Sequence, residues 1–239
     1  MHAAELVDAA LLHVNRTAGR EEDFALAMLH FLPAGLPSQI RLSSWTFGVM
    51  AIIETHPETI TGPWIEGFVL DRHVIKSVPI GYLGEHMQFD TTRSALGELV
   101  YQFKNKGGSP DQIIETATAF AAGRWASMLD GVVWPPPSVA RARQPAAILA
   151  EGVAATLGVP VLEDAVVKTK TQPMKNVPLA ERASLLRGAI RVGNSSVTGL
   201  RILIVDDLWQ TGATMRRVAE VLREMGAAEI RALAMTRTK

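Results

Sequence analysis

The stretch Arg201-Ile-Leu-Ile-Val-Asp-Asp-Leu-Trp-Gln-Thr-Gly-Ala-Thr-Met215 decides how this chain is read. Ile202 to Val205 is a short apolar run, as expected of a strand covered on both faces in a parallel sheet. It ends in two adjacent carboxylates, Asp206 and Asp207, whose side chains point to opposite sides of a strand end. Thr211, Gly212, Ala213 and Thr214 come next, small enough for backbone N–H groups to close on phosphate oxygens. Met215, Val218, Leu222 and Met225 then recur at helical spacing, and Gly226 supplies a stop. Ligands of open α/β sheets sit at the carboxyl ends of strands. Carboxylates suit a ribose diol, and N–H groups at a helix start suit a phosphate, so a phosphorylated sugar is the expected ligand.

Other functions share the Ile-Val-Asp-Asp pattern. A Walker B strand needs a partner Gly-x-x-x-x-Gly-Lys-Ser/Thr loop, and the chain has no Gly-Lys pair. A receiver domain needs most of a small domain after its acidic strand, whereas here only one helix and a strand from Glu229 to Thr236 come after it. The bland alternative is a strand end whose carboxylates cap the next helix.

Composition sets the bounds. At 239 residues the chain can build one large core or two modest ones. Its 24 basic and 24 acidic residues balance, which gives no electrostatic case for general nucleic-acid or membrane binding. No apolar run reaches membrane-spanning length and no leader pattern opens the chain, so a cytoplasmic location is expected. The absence of cysteine excludes disulfides, thiolate zinc sites and a cysteine nucleophile.

The second half alternates strands and helices. Gly131 to Trp134 reads as a strand halted by Pro135-Pro136-Pro137. Gln144 to Leu157 reads as a helix ended by Gly158, with a strand from Val159 to Leu162 after it. A short helix from Pro178 to Arg187 and a strand from Ala189 to Val192 precede the acidic strand. Such alternation predicts an α/β fold with a doubly wound, mainly parallel sheet.

These pieces together resemble a family. The acidic stretch is similar to the phosphoribosyl-pyrophosphate (PRPP) motif of type I phosphoribosyltransferases. From about Gly131 onward the order of elements is similar to that of the ComF-like members. The matching pieces are Val132-Val-Trp-Pro-Pro-Pro-Ser138, Arg141-Ala-Arg143, Lys168-Thr-Lys-Thr-Gln-Pro-Met-Lys175, and Leu179-Ala-Glu-Arg182 leading to Arg187-Gly-Ala-Ile190. The resemblance implies transfer of a phosphoribosyl group from PRPP, with Mg²⁺, to a nitrogenous base or amine, releasing pyrophosphate. It implies catalytic roles for Asp206, Asp207, Arg141, Arg143 and Lys170, with both aspartates toward the metal. It implies PRPP contacts from Thr211, Gly212, Ala213, Thr214, Pro136, Pro137, Ser138 and Lys168. In such enzymes the proline-containing loop grips pyrophosphate and often holds a cis peptide, which proline makes accessible; a plain trans turn is the alternative. Arg141 and Arg143 suit bidentate neutralisation of pyrophosphate, against the alternative of solvated helix-start arginines. Lys168, Lys170 and Lys175 lie in a segment like the flexible loop that closes over substrate, against that of a solvated surface loop.

Two positions depart from or refine the pattern. In 6-oxopurine salvage enzymes the third position after the acidic pair is an Asp that serves the purine; here it is Gln210, which disfavours hypoxanthine or guanine. Trp209 is expected to pack under the loop.

The first half is less legible. Helices are expected over 3–14, 21–32, 92–103 and 111–124, and strand-like runs over 45–53 and 67–79. Residues 1–125 are expected to form an N-terminal α+β region and 126–239 the phosphoribosyltransferase core. Within the former, 40–107 is either a hood contacting the acceptor or plain scaffold. Phe89 to Gly107 faintly resembles the Tyr/Lys/Gly-containing helix ahead of the ComF-like core, but that family's zinc ribbon is absent. The 6 histidines all fall here without metal-ligand spacing and read as surface or core residues. A homodimer is open by analogy. A PRPP- or nucleotide-sensing regulator and a DNA-uptake accessory remain the alternative functions.

Overall fold

The computed structural model describes residues 52–137, 144–169 and 189–238. Residues from Met50 onward form one unit; Met1–Val49 form another, outside the described residues together with the helices expected there.

A five-stranded sheet runs in the order β1-β2-β9-β8-β5, where β1 is Glu58–Thr59, β2 Glu66–Arg72, β5 Gly131–Val133, β8 Arg201–Trp209 and β9 Glu229–Arg237. β2, β9, β8 and β5 are mutually parallel, and only the short β1 runs antiparallel. Val159 to Leu162, expected as a further strand, adds a parallel bridge from Val161 to Val132 at the β5 edge. Val132 N–H donates to the Pro160 carbonyl and Leu162 N–H to that of Val132, but Pro160 has no N–H with which to extend a ladder.

Alternation along β8 explains the two layers. Ile202 and Ile204 face a core formed with α4 (Ala213–Glu224), which also takes in Val69, Ala232 and Ala234. Leu203 and Val205 face the opposite core, with Phe68, Leu70, Leu233 and Met235, under α1 (Ala95–Lys106), α2 (Asp111–Trp125) and α3 (Pro145–Leu157). The sheet is therefore mainly parallel with helices on both faces.

Each helix is explained by its own residues. In α1, Leu96, Val100 and Phe103 recur on the buried side, Ser94 caps the start by accepting the Gly97 N–H, and Gly107 ends it at φ 74°. Pro145 opens α3 where its missing N–H costs nothing, and Gly158 closes it at φ 70°.

Three findings differ from the sequence reading. β2 lies beside β9 in the main sheet, so the sheet takes strands from both sides of the 125/126 boundary. Between β2 and α1 stands a hairpin of β3 (Lys76–Leu83) and β4 (His86–Thr92), whose cross-strand pairs Pro79–Phe89 and Tyr82–Met87 leave an apolar face in solvent. The expected strand near 189–192 is β7 (Ile190–Val192), which pairs antiparallel with β6 (Val166–Lys168) in a separate ribbon against α4. Val166 and Ile190 are buried while Arg191 and Val192 are exposed, so this strand pair is not covered on both faces as a strand of the main sheet is. No helix among the described residues is long and apolar enough to cross a membrane.

Candidate functional site

The parallel strands bring their carboxyl ends to one edge of the sheet. Val133 pairs with Ile204, so Pro135 to Pro137 leave β5 beside the stretch of β8 that ends in Asp206 and Asp207. Pro135 and Pro136 are buried and Pro137 half-buried, and no peptide bond among the described residues is cis. The Pro135–Pro137 turn is thus rigid and trans. Ser138, Arg141, Arg143 and Lys170 lie outside the described residues.

Alternation sends Asp206 toward the α4 side and Asp207 toward the α1 side. Asp206 Oδ1 accepts the Asp207 N–H at 2.9 Å. Burial, and then the neighbouring Asp207 carboxylate, push the Asp206 carboxyl well above the usual carboxylate range. Asp207 Oδ2 accepts from the Lys104 ammonium, and its backbone carbonyl accepts from Thr236 Oγ1 at 3.5 Å. His73, the residue after β2, stands 3.1 Å from Thr236 Oγ1 through Nδ1. Burial, then Arg93 and Lys104, hold the His73 pKa below its ordinary value.

The turn after β8 is built on Trp209. Gly212 sits at φ 71°, a conformation that favours glycine, and a Cβ there would run into the Trp209 ring. Trp209 therefore packs beneath the turn, edge to face with Trp64 at 5.9 Å. Arg216 ties the turn down: Nη1 donates to the Thr211 carbonyl at 2.7 Å, Nη2 to the Thr61 carbonyl at 3.0 Å, and the guanidinium lies over Trp209. Gly212 is the N-cap of α4 and has no side chain to offer; the Ala213 N–H donates to Thr211 Oγ1 at 3.4 Å, and the other N–H groups of the first helical turn are oriented as anion donors. Thr211 is exposed; Ala213 and Thr214 are half-buried. Lys168 ends β6, half-buried, and burial lowers its pKa. Its ribbon is a separate two-stranded sheet that lies against α4.

Lys104, His73 and Arg93 escaped the sequence reading because only long-range pairing brings them to this edge, whereas Arg216 lies five residues from Thr211 and only its bond to the Thr61 carbonyl is long-range. Asp71 carried a readable signal: Phe68-Val-Leu-Asp71 repeats the apolar-run-then-acid pattern of Leu203-Ile-Val-Asp206. Asp71 is buried and borders an open cleft of about 850 Å³ with Ile53, His56, Pro57, Arg72 and Ile75.

A divalent cation has two carboxylates here, and no group of three or more His, Cys, Asp or Glu among the described residues can cage one. Two hard carboxylates at a strand end fit a cation that arrives mostly ligated by its substrate and water, as Mg²⁺ does with phosphates.

Residues 141–237 match the phosphoribosyl transferase domain family. No curated protein matches the sequence. Among solved structures, phosphoribosylpyrophosphate synthetase from Mycobacterium smegmatis is 22% identical, with a TM-score of 0.36 over 52% of this chain and 33% of that one. Purine phosphoribosyltransferase from Pyrococcus horikoshii is 20% identical, with a TM-score of 0.35 over 54% and 82%. Glutamine phosphoribosylpyrophosphate amidotransferase from B. subtilis is 23% identical, with a TM-score of 0.41 over 61% and 33%. The match spans about a third of the synthetase and amidotransferase chains.

Proposed function

We propose that the protein is a type I phosphoribosyltransferase of the ComF-like kind. It binds PRPP and transfers the 5-phosphoribosyl group to a nitrogenous base or amine, releasing pyrophosphate. The observation that carries this is the acidic pair near the carboxyl end of β8, from which Leu208 and Trp209 lead into a glycine-opened turn and the start of α4. The domain match over 141–237 supports it.

In this reading the N–H groups of Thr211 to Thr214 hold the 5-phosphate and the Asp206–Asp207 pair accepts hydrogen bonds from the ribose hydroxyls. Asp206 and Asp207 would also hold Mg²⁺, which neutralises departing pyrophosphate when bound. Positive charge builds on the ribose as pyrophosphate leaves, and the carboxylates lie where they can stabilise it. Pro136 and Pro137 shape the pyrophosphate side, together with Ser138, Arg141 and Arg143. Lys168 and Lys170, at and beyond the end of β6, close over the ligand and keep water from the sugar centre. Gln210 in place of an acid disfavours 6-oxopurine acceptors.

The test is a calorimetric PRPP titration with and without Mg²⁺, and then a pyrophosphate-release screen across bases and amines. The Asp206→Asn/Asp207→Asn double variant should lose PRPP binding. Unchanged affinity would sink the site assignment. Binding without release by any acceptor moves the reading to a PRPP-sensing regulator, and efficient turnover of hypoxanthine or guanine overturns the inference from Gln210.

A further inference from the structure

Lys104 reaches the acidic tip from outside the matched domain, across 103 residues of sequence, and places its ammonium on Asp207 Oδ2. The helix that carries it is anchored. Leu96, Val100 and Phe103 are buried, Ser94 Oγ donates to the Arg72 carbonyl at 2.6 Å, and Gly97 lies so close to the His73 carbonyl that a Cβ would collide with it. The ammonium has more freedom, on a long stem whose side chain is 27% exposed. Beside it, Arg93 stacks 3.8 Å over Tyr101 and donates to Glu98, yet its Nε is buried with no hydrogen-bond partner. The α1 side of the site thus carries a movable cation on Asp207, with an unused guanidinium N–H at Arg93 just ahead of the helix.

A polyphosphorylated sugar must approach two carboxylates, and like charge opposes it. A ribose hydroxyl that donates to Asp207 competes with Lys104 for the Asp207 oxygens. The displaced ammonium keeps three N–H donors and its full charge, and it needs anionic acceptors within a side chain's reach. The phosphate oxygens of the arriving ligand are such acceptors.

From this geometry we infer that Lys104 is a substrate-binding residue that exchanges partners. It holds Asp207 as seen here and turns to a phosphate or pyrophosphate oxygen of the phosphorylated ribose once the diol takes Asp207. The inference rests on the proposed function and adds to that site a residue from the N-terminal region. It predicts that the lysine strengthens binding even though it sits on a carboxylate the ligand needs.

The experiment is a calorimetric PRPP titration with Mg²⁺ on the full chain, comparing wild type, Lys104→Met, Lys104→Gln and Lys104→Arg, with the thermal midpoint of each. Loss of a charge-assisted contact to phosphate should weaken PRPP binding about ten- to a hundredfold in the Met and Gln variants. Arg should restore most of the affinity. Equal or tighter binding by the Met and Gln variants overturns the inference, since the lysine would then only compete for Asp207. So does a lowered midpoint with unchanged affinity, which marks a structural tether. If wild type does not bind PRPP at all, the functional reading falls and takes this inference with it, an outcome visible before any variant is compared.

Discussion

β8 runs Leu203-Ile-Val into Asp206, and β2 runs Phe68-Val-Leu into Asp71, in the same sheet and in the same direction. In each, the first aspartate Oδ1 accepts the N–H of the next residue, at 2.9 Å in Asp206 and 2.8 Å in Asp71. By register Asp71 and Leu208 both pair with Thr236, so the two ends stand on one edge, separated only by β9. Beyond the acid the two chain paths part. β8 turns through Gly212 into a helix start, and β2 turns through His73 and Ile75 into a hairpin. Only the first ending aims a row of backbone N–H groups at the space beyond the carboxylate. An acid at a strand end is therefore common to both, and the turn after it separates a phosphate-suited site from a cleft wall.

Substitutions at the two strand ends test that contrast. Trp209 is 7% exposed beneath the β8 turn, whereas Ile75 beside the β2 end is 63% exposed. Trp209→Ala should cost about 3–5 kcal/mol of stability and Ile75→Ala less than about 0.5 kcal/mol, measured by urea unfolding. Similar losses at the two positions would erase the distinction.

Glycines test the same ends with a smaller effect. Gly212→Ala forces a side chain into a left-handed turn and against Trp209, and should cost about 1–3 kcal/mol. Gly97→Ala pushes α1 off the His73 carbonyl and should cost a similar ~1–3 kcal/mol. Gly212→Ala should lower PRPP affinity. If Gly97→Ala lowers it too, the β2 side contributes to the site through α1.

Charge removal is smaller still and has a defined sign. The folded-state pKa of Asp206 is raised, so the folded protein favours its protonated form and is destabilised once the carboxyl ionises. Asp206→Asn should raise the thermal midpoint at pH 7, and the gain should vanish as pH falls below the ordinary carboxylate range. A lower midpoint at pH 7 would contradict the burial argument. Asp130 behaves in the opposite sense, since hydrogen bonds from Arg201 lower its pKa to about 2. Its stabilising effect is present above the ordinary carboxylate pKa and is lost as pH falls toward 2. Asp130→Asn should therefore be slightly less stable than wild type at pH 7, by thermal melts, with the difference closing as the pH is lowered through that range. This pair lies at the opposite end of β8, so PRPP affinity should not change.

Legibility along the chain tracks the range of the interactions. The helices α1 to α4, the strands β5, β8 and β9, and the stops at Gly158 and Gly226 were readable because apolar spacing and left-handed glycines act within a few residues. The place of β2 was not, because its pairing with β9 links positions more than 160 residues apart. The β6–β7 ribbon divides in the same way. The strand at Ile190–Val192 is local and was readable, but its antiparallel pairing with Val166–Lys168, outside the main sheet, was not.

The sequence by itself determined the acidic strand end, the glycine-opened turn and the helix after it, since each is a local consequence of residue type and backbone geometry. Tertiary structure alone decided that Lys104 meets Asp207, that His73 meets Thr236, and that β2 joins the sheet beside β9. Those contacts depend on strand register and helix docking, which sum many weak preferences over the whole core. No short window of residues contains that sum.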